Sequence, residues 1–464
     1  MILFSFFTGW LLSASFAPIN RWYLAPLAIA LWMWLTYKSK HSVRDIFIVA
    51  FTFNAFLLHW SSTYVGSIPW LVLCLGESLL YLPLALARRE RIYLFPFIFL
   101  LLEQIRSQFP FGGFGWARLA FSQADAPYGS VAQIGGVSLL TSFVLLIAYS
   151  LVRFKQNLLP VMLIIAILVI GFFAPTLIDR GRFDSLVVQG NVPHLGLDFN
   201  SQAKAVFLLH VKETQKAITQ SKNYKVILWP ENSVDVDPYL NKDVSNQLKS
   251  LYLQSGRPLI IGAVLSHDSH IRNASILWRN SATSTYIKQH LTPFGEYIPL
   301  RSIAQHFSSY TNQVSDFSAG YTMVIHHIDN VGIGPIICFE LIDDAYINRV
   351  SRKSELLLVQ TNNATFGTSA QSLQQLSISR IRAIENHRDL ISVSTTGVSA
   401  VIGADGRIIQ KTQIARADYL FASSHLYSGQ TWANKLGIWA FYMCLAGWLL
   451  VAWMERRRNF SAYR

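Results

Sequence analysis

Apolar runs long enough to enter a bilayer fill the first part of this chain, and they restrict its fold more than any other feature. Seven come first, at approximately 2–18, 22–37, 45–64, 68–87, 92–105, 136–152 and 158–178, and an eighth lies at about 435–454. Each is near the roughly 20 residues a helix needs to cross hydrocarbon. Lipid offers no hydrogen-bond partners, so a backbone within it must close its bonds inside a helix or a closed barrel. Only 14% of the 464 residues are charged, against about a quarter in an ordinary soluble domain. The sequence therefore predicts a multi-pass α-helical membrane domain of about eight transmembrane helices. The first run contains Ser-Ala-Ser at 13–15, a small-residue pattern resembling a cleavage site. No Lys or Arg precedes it, so it reads as a helix and not as a signal peptide.

The formal net charge is +13, which by itself could suggest a nucleic-acid partner. The basic residues sit in short loops instead: Lys38, Lys40 and Arg44; Arg88, Arg89 and Arg91; Arg153 and Lys155; and Arg456, Arg457 and Arg458 after the last run. The intervening loops hold only Arg21, then none, then Arg106 and Arg118. If all eight runs span, every basic loop falls on one side, as the positive-inside rule requires. The expectation is a cell-membrane protein with both termini cytoplasmic, the bilayer as a partner and no nucleic acid. The long insert before the last run is then extracytoplasmic. Domain bounds follow: 1–179 for the seven-helix transmembrane domain, 180–434 for the extracytoplasmic domain, and 435–464 for a C-terminal helix with a basic cytoplasmic tail.

Within the insert, short aliphatic and β-branched runs alternate with amphipathic stretches. Strands are expected at 185–189, 225–229, 259–264, 274–278, 323–326, 334–338, 356–360, 390–394 and 399–402, and helices at 202–220, 242–254, 343–350 and 370–387. Ala404-Asp405-Gly406 reads as a hairpin turn. This alternation predicts an α/β domain layered around a substantial sheet. Two long loops, 106–135 and 300–318, stand out as functional candidates.

Of the three cysteines, Cys74 and Cys444 lie in apolar runs and read as buried hydrophobes. Cys338, in Val331–Glu340 (VGIGPIICFE), is alone in the insert and has no disulfide partner there. Glu231 follows an apolar run in VILWPENS, and Pro230 ends the strand before it. Lys288 and Glu296 lie in YIKQHLTPFGEYIP, and Glu340 is two residues past the cysteine. If that last segment stays extended, Glu340 shares a face with Cys338. Each residue has a plainer reading: solvated glutamates, a surface lysine, an inert buried thiol. Together they make a nucleophile, a general base and a cation. A carboxylate can take the thiol proton, and an ammonium favours the thiolate and an oxyanion at an attacked carbonyl. The Phe339 backbone N–H is a candidate second oxyanion donor. Such a set performs acyl transfer through a thioester. No His- or Cys-rich spacing and no glycine-rich phosphate loop calls for a metal or cofactor.

WPENS, KQHLTPFGEYIPL, ICFE and TNNATFG followed by QQLSISRIRAIENHRDLISVSTTGVSAVIGADGRI resemble the nitrilase (carbon-nitrogen hydrolase) superfamily, in its apolipoprotein N-acyltransferase branch. ASFAPINRWYLAPLAI and EQIRSQFPFGGFGWARLAFSQ resemble the membrane part of that branch. The resemblance implies a nitrilase-like αββα sandwich for the insert and a Glu–Lys–Cys triad of Glu231, Lys288 and Cys338, with Glu296 and Glu340 as additional essential glutamates. It also implies a phospholipid acyl donor and a diacylglyceryl-modified lipoprotein acceptor. Departures fall outside the triad. PHLGLDF follows VVQGNV where many members have a tryptophan, Thr365 stands where an aromatic is common, and Phe339 where tyrosine is. Two other classes stay open: a membrane-anchored amidase of the same superfamily, and a non-catalytic lipid-binding module. Among intramembrane charges, Glu103 is expected to pair with Arg106 three residues on, and Glu77 is either structural or functional.

Overall fold

A computed structural model of the protein describes residues 1–63, 66–154, 157–175, 177–196, 202–220, 222–267, 270–306 and 315–461. Lys155 and part of the 300–318 loop lie outside these. The chain divides into two compact units. One is built from Met1–Ser62, Gly66–Thr176 and Thr431–Arg464, and Leu177–Gln430 forms the body of the other.

The first unit is helical: α1 (Ile2–Ala14), α2 (Leu24–Lys38), α3 (Ser42–Leu57), α4 (Ser67–Leu79), α5 (Phe95–Arg106), α6 (Ala132–Arg153) and α7 (Leu159–Gly171), then α13 (Trp432–Leu436) and α14 (Trp439–Ser461). By length and composition, two helical runs among the described residues can cross a bilayer, Ser67–Ala87 and Gly129–Arg153; Ile2–Ala14 and Leu159–Gly171 are apolar but shorter. Several helices are shorter than the apolar runs that hold them. A 15-residue helix such as α2 rises only about 22 Å, and a tighter 3₁₀ turn follows α4 at Leu82–Ala87. The unit buries several charged side chains within an apolar core while leaving apolar side chains on its outside. α7 buries only Pro160, whereas Glu77, Glu103, Arg106 and Arg118 are buried. The expected Glu103–Arg106 pairing is replaced. Arg106 turns to Glu77 on α4 (3.2 Å), and Glu103 meets Arg118 at 3.7 Å. Glu103 also accepts from Thr141 Oγ1 and the Leu119 N–H. The 106–135 segment, expected as a loop, folds into short 3₁₀ turns that bury Trp116, Leu119 and Phe121.

The second unit is a sandwich of two six-stranded sheets. The first contains β1 (Ile178–Gln189), β2 (Val226–Leu228), β3 (Leu259–His267), β4 (His270–Trp278), β5 (Ala282–Ile287) and β12 (Asp418–Ser428), in the order β12-β1-β2-β3-β4-β5. The second contains β6 (His326–Ile328), β7 (Val331–Ile337), β8 (Leu356–Thr361), β9 (Leu390–Ser394), β10 (Ala400–Ile402) and β11 (Ile408–Lys411), in reverse sequence order. β1, β2 and β3 run parallel, as do β7, β8 and β9.

Alternation along each strand sets the layers, since successive side chains face opposite ways. Val187, Val226, Leu228 and Ile260 point to the second sheet, where they join Ile333, Leu356, Leu358, Ile391 and Val393 in the central core. Leu186, Val188, Ile227 and Ile261 point outward, to Phe207 and Val211 of α8 (Ala205–Ile218) and Val244, Leu248 and Leu251 of α9 (Lys242–Ser255). The spacing 244, 248, 251 is one helical stripe. α11 (Asp344–Ser351) and α12 (Gln371–Asn386) pack on the second sheet through β7, β9 and β10. The result is the αββα arrangement of a nitrilase-like domain. The small helix α10 (Arg301–Ala304) lies in the 300–318 region. Strands β5, β11 and β12 carry too many polar residues to be evident in the sequence, and β6 begins where the expected 323–326 strand ends.

Candidate active site

Three strand ends carry the expected acid, cation and nucleophile. Glu231 follows β2, Lys288 directly follows β5, and Cys338 directly follows β7. In open α/β sheets the carboxyl ends of parallel strands are where ligand sites form, because the connecting chain leaves the ladder there. Glu231 is 5% exposed and Lys288 1%. The loop that carries Glu231 can sit against β3 because residue 262 is glycine. A Cβ there would lie 2.3 Å from the Pro230 carbonyl oxygen and 2.6 Å from the Glu231 Cα.

Lys288 bridges two carboxylates. Its Nζ lies 2.7 Å from Glu296 Oε2 and 3.3 Å from Glu231 Oε1. Asn273, in the middle of β4, ties the same carboxylates together by donating from Nδ2 to Glu231 Oε1 (2.7 Å) and Glu296 Oε1 (2.8 Å). Glu231 Oε2 accepts from the Asn362 backbone N–H at 2.8 Å, a bond from one sheet to the other. Glu296 also closes its own turn by accepting from the Thr292 N–H at 2.7 Å.

Cys338 has φ +48°, a left-handed conformation unusual for a non-glycine residue. It marks a sharp strand-to-helix turn that presents the thiol, since Cys338–Ile342 is a 3₁₀ helix. The extended CFE segment anticipated from the sequence is therefore absent, and Glu340 does not lie on a common strand face with Cys338. Its carboxylate folds back. Oε2 accepts from the Ile337 N–H (2.8 Å), and Oε1 accepts from the Gln289 N–H (2.8 Å), the His290 N–H (3.3 Å) and the Tyr286 hydroxyl (2.5 Å). Glu340 thus staples the end of β7, which carries Cys338, to the backbone that carries Lys288. Phe339 is half-buried in the same turn.

Electrostatics assign a resting state. Burial, together with Glu231, pushes the Cys338 thiol far above its ordinary range, with Lys288 opposing. Burial also raises the Glu231 carboxyl, with Lys288 lowering it. For Lys288 burial acts downward, but Glu296 and Glu231 outweigh it and hold the ammonium protonated. The site therefore rests as a neutral thiol beside a cation held by carboxylates, and a proton must leave sulfur as it attacks. Among the described residues no group of His, Cys, Asp and Glu could hold a metal ion.

Neutral amides were invisible to sequence reasoning. Asn273 bridges the carboxylates, Gln375 of α12 donates to Cys338 Sγ at 3.6 Å, and Asn363 sits behind Gln375. Asn and Gln are common in any soluble domain, so only their contacts single them out.

Comparison with known proteins bears on both units. Residues 187–433 match the carbon-nitrogen hydrolase model and residues 8–151 the model described as apolipoprotein N-acyltransferase N-terminal domain. The apolipoprotein N-acyltransferase of Mycolicibacterium smegmatis is 33% identical over an alignment that covers 92% of this chain and 80% of the relative. That of Photobacterium profundum is 27% identical, covering 98% and 95%. A solved carbon-nitrogen hydrolase superfamily protein from Xanthomonas campestris covers 57% of this chain and 97% of its own, at 16% identity and a TM-score of 0.40.

Proposed function

This chain belongs to the apolipoprotein N-acyltransferase family, with a carbon-nitrogen hydrolase domain, and from that premise we propose that it transfers a fatty acyl group from a membrane phospholipid to a lipoprotein. The acceptor is the α-amino group of an N-terminal diacylglyceryl-cysteine. The observation that carries the reading is Lys288 held between Glu231 and Glu296, acting on a thiol presented at a left-handed turn.

In the first half-reaction Glu231 takes the Cys338 proton as sulfur attacks the acyl ester carbonyl. Lys288 stabilises the oxyanion, with the Phe339 N–H as the candidate second donor. The C–O bond breaks, Glu231 returns its proton to the departing alkoxide, and lysophospholipid leaves a thioester on Cys338. In the second, the acceptor amine attacks the thioester and Glu231 accepts its proton. The C–S bond breaks, the amide is released, and the sulfur is reprotonated. Glu296 orients Lys288, and Glu340 holds the two reacting segments in register.

The same reading places residues 1–179 and 435–464 in the cell membrane as about eight helices, with 180–434 as the extracytoplasmic domain and both termini cytoplasmic. It is supported by the basic loops and by the outward apolar surface of the first unit: Met162, Ile165, Leu168 and Val169 of α7 are all exposed, a large apolar surface that water does not favour.

Incubation with phospholipid alone should leave a fatty acyl adduct on Cys338, detected by intact mass and peptide mapping and lost with hydroxylamine. Wild-type protein that acylates lipoprotein without ever showing the adduct, or full activity of Cys338→Ser, refutes the mechanism.

A further inference from the structure

Cys338 has a hydrogen-bond donor outside the Glu–Lys pair, and that bond stands at the end of a chain of buried partners. Gln375 is 3% exposed, and its Nε2 lies 3.6 Å from Cys338 Sγ. An amide can flip, so which end faces sulfur depends on what the other end meets. Here Gln375 Oε1 accepts from Asn363 Nδ2 at 2.9 Å, and the same Nδ2 donates to Gln371 Oε1 at 2.6 Å. Asn363 Oδ1 in turn accepts from the Ser394 hydroxyl (2.5 Å) and the Thr361 hydroxyl (2.9 Å). Ser394 Oγ accepts from the Gly397 backbone N–H at 2.8 Å and donates its own proton to Asn363 Oδ1. A backbone N–H cannot reverse. The bonds from Gly397 to Ser394, Ser394 to Asn363, Asn363 to Gln375 and Gln375 to Cys338 all run donor to acceptor in one direction, and they end with an N–H on sulfur. Gly397 is itself confined, since a Cβ there would lie 2.4 Å from Ser372 Oγ and 2.5 Å from Asn363 Oδ1.

We propose that Gln375 is a further catalytic residue, a fixed N–H donor that stabilises the Cys338 sulfur anion as it forms and again as it is expelled from the second tetrahedral intermediate. The role rests on Cys338 being the nucleophile, but not on the identity of the acyl donor. No proton is transferred, because the amide N–H donates and stays bound to nitrogen. The bond is strongest when sulfur is negative, since hydrogen bonds to charged groups are the stronger class. Lys288 lies between two carboxylates and shares its charge among three claimants. A neutral donor aimed at sulfur adds stabilisation that does not depend on that sharing.

The test is the rate of Cys338 alkylation by iodoacetamide in the full-length protein without lipid, read by peptide mapping so that Cys74 and Cys444 do not contribute. A lost hydrogen bond to a charged atom lowers the thiolate population about tenfold, and the more basic sulfur recovers roughly threefold in nucleophilicity. Gln375→Met should therefore alkylate about threefold more slowly than wild type. Gln375→Glu keeps the shape and the acceptor for Asn363 but turns an acceptor towards sulfur, so it should be slower still, by about tenfold or more. Its deficit should shrink on acidification, as the carboxyl gains a proton it can donate, whereas that of Gln375→Met should not. If Gln375→Met fails to fold, the pH-dependent recovery of Gln375→Glu carries the test alone. Equal rates in wild type and variants, or a Gln375→Glu deficit that acid does not relieve, overturns the proposal. The ordered rates without any acyl adduct on Cys338 would uphold the donor and instead refute the acyl-transfer reading.

Discussion

Glu340 offers a separation between holding a site together and performing its chemistry. Its carboxylate is fully buried and accepts from three backbone N–H groups and one phenol. Replacing it with glutamine leaves one oxygen. Turned towards Gln289, His290 and Tyr286, that oxygen keeps three of the donors, but the new amide N–H₂ then faces the Ile337 N–H. One buried donor loses its acceptor and two donors oppose each other, a cost of roughly 1–3 kcal/mol for the orphan alone. Glu340→Ala orphans all four, so its cost should be several times larger, a large part of the 5–15 kcal/mol that stabilises a typical domain. For a domain of this size each kcal/mol moves a thermal midpoint by about 2–4 °C. Glu340→Gln should therefore lower the midpoint of the second unit's transition by about 3–10 °C, and Glu340→Ala should fail to accumulate or melt far earlier. Scanning calorimetry of the purified protein in detergent reads both. Glu231→Gln orphans one donor by the same count, the Asn362 N–H, so it should abolish acylation with a comparable fall in midpoint. If Glu340→Gln melts with wild type yet is inactive, the carboxylate belongs to the chemistry and the staple account is wrong.

Acid dependence follows from Glu231. Its raised carboxyl pKa means that the base form is present at high pH and disappears as pH falls through that raised value. The rate of thioester formation should thus lose activity at a pH above the ordinary glutamate range, and Lys288, held protonated, should add no alkaline limb near neutrality; an acid limb at the ordinary carboxylate position contradicts the assignment. Gly262→Ala puts a methyl group against the Pro230 carbonyl and the Glu231 Cα, main-chain atoms that cannot rotate away. A displacement of about 1 Å at Glu231 should slow acylation on the order of a hundredfold, measured as the single-turnover rate, and an unaffected rate would mean that the β2 loop has slack the close contact denies.

Much of the fold was readable where a segment's burial and its periodicity agree. β9, at Leu390–Ser394, coincides with the expected run because every residue in it is buried. α9 was legible because Val244, Leu248 and Leu251 form one stripe between an Asn241 cap and Gly256. β12 was missed because it pairs along its length with β1 while interleaving serines and a histidine among its apolar residues. Its strand character comes from its neighbour. Helix ends were less legible for a related reason: apolar composition sets how much surface avoids water, whereas a helix such as α7, of 13 residues, ends inside its apolar run.

The same division runs through the candidate site. Sequence alone determined the chemical vocabulary: one thiol in the insert, glutamates and a lysine after aliphatic runs, and a charge distribution consistent with a bilayer. These are properties of residue type and local spacing. Tertiary structure decided the grammar. Cys338 adopts a left-handed turn and not an extended strand end, so Glu340 becomes a staple between two segments. Asn273, 15 residues before Lys288 in sequence, is placed between two carboxylates. The Gln375 amide lies at the end of a chain of bonds that runs from Gly397 through Ser394 and Asn363. An amide presents both a donor and an acceptor, so the residue's identity leaves its direction undetermined. Only the surrounding partners choose which end meets the sulfur.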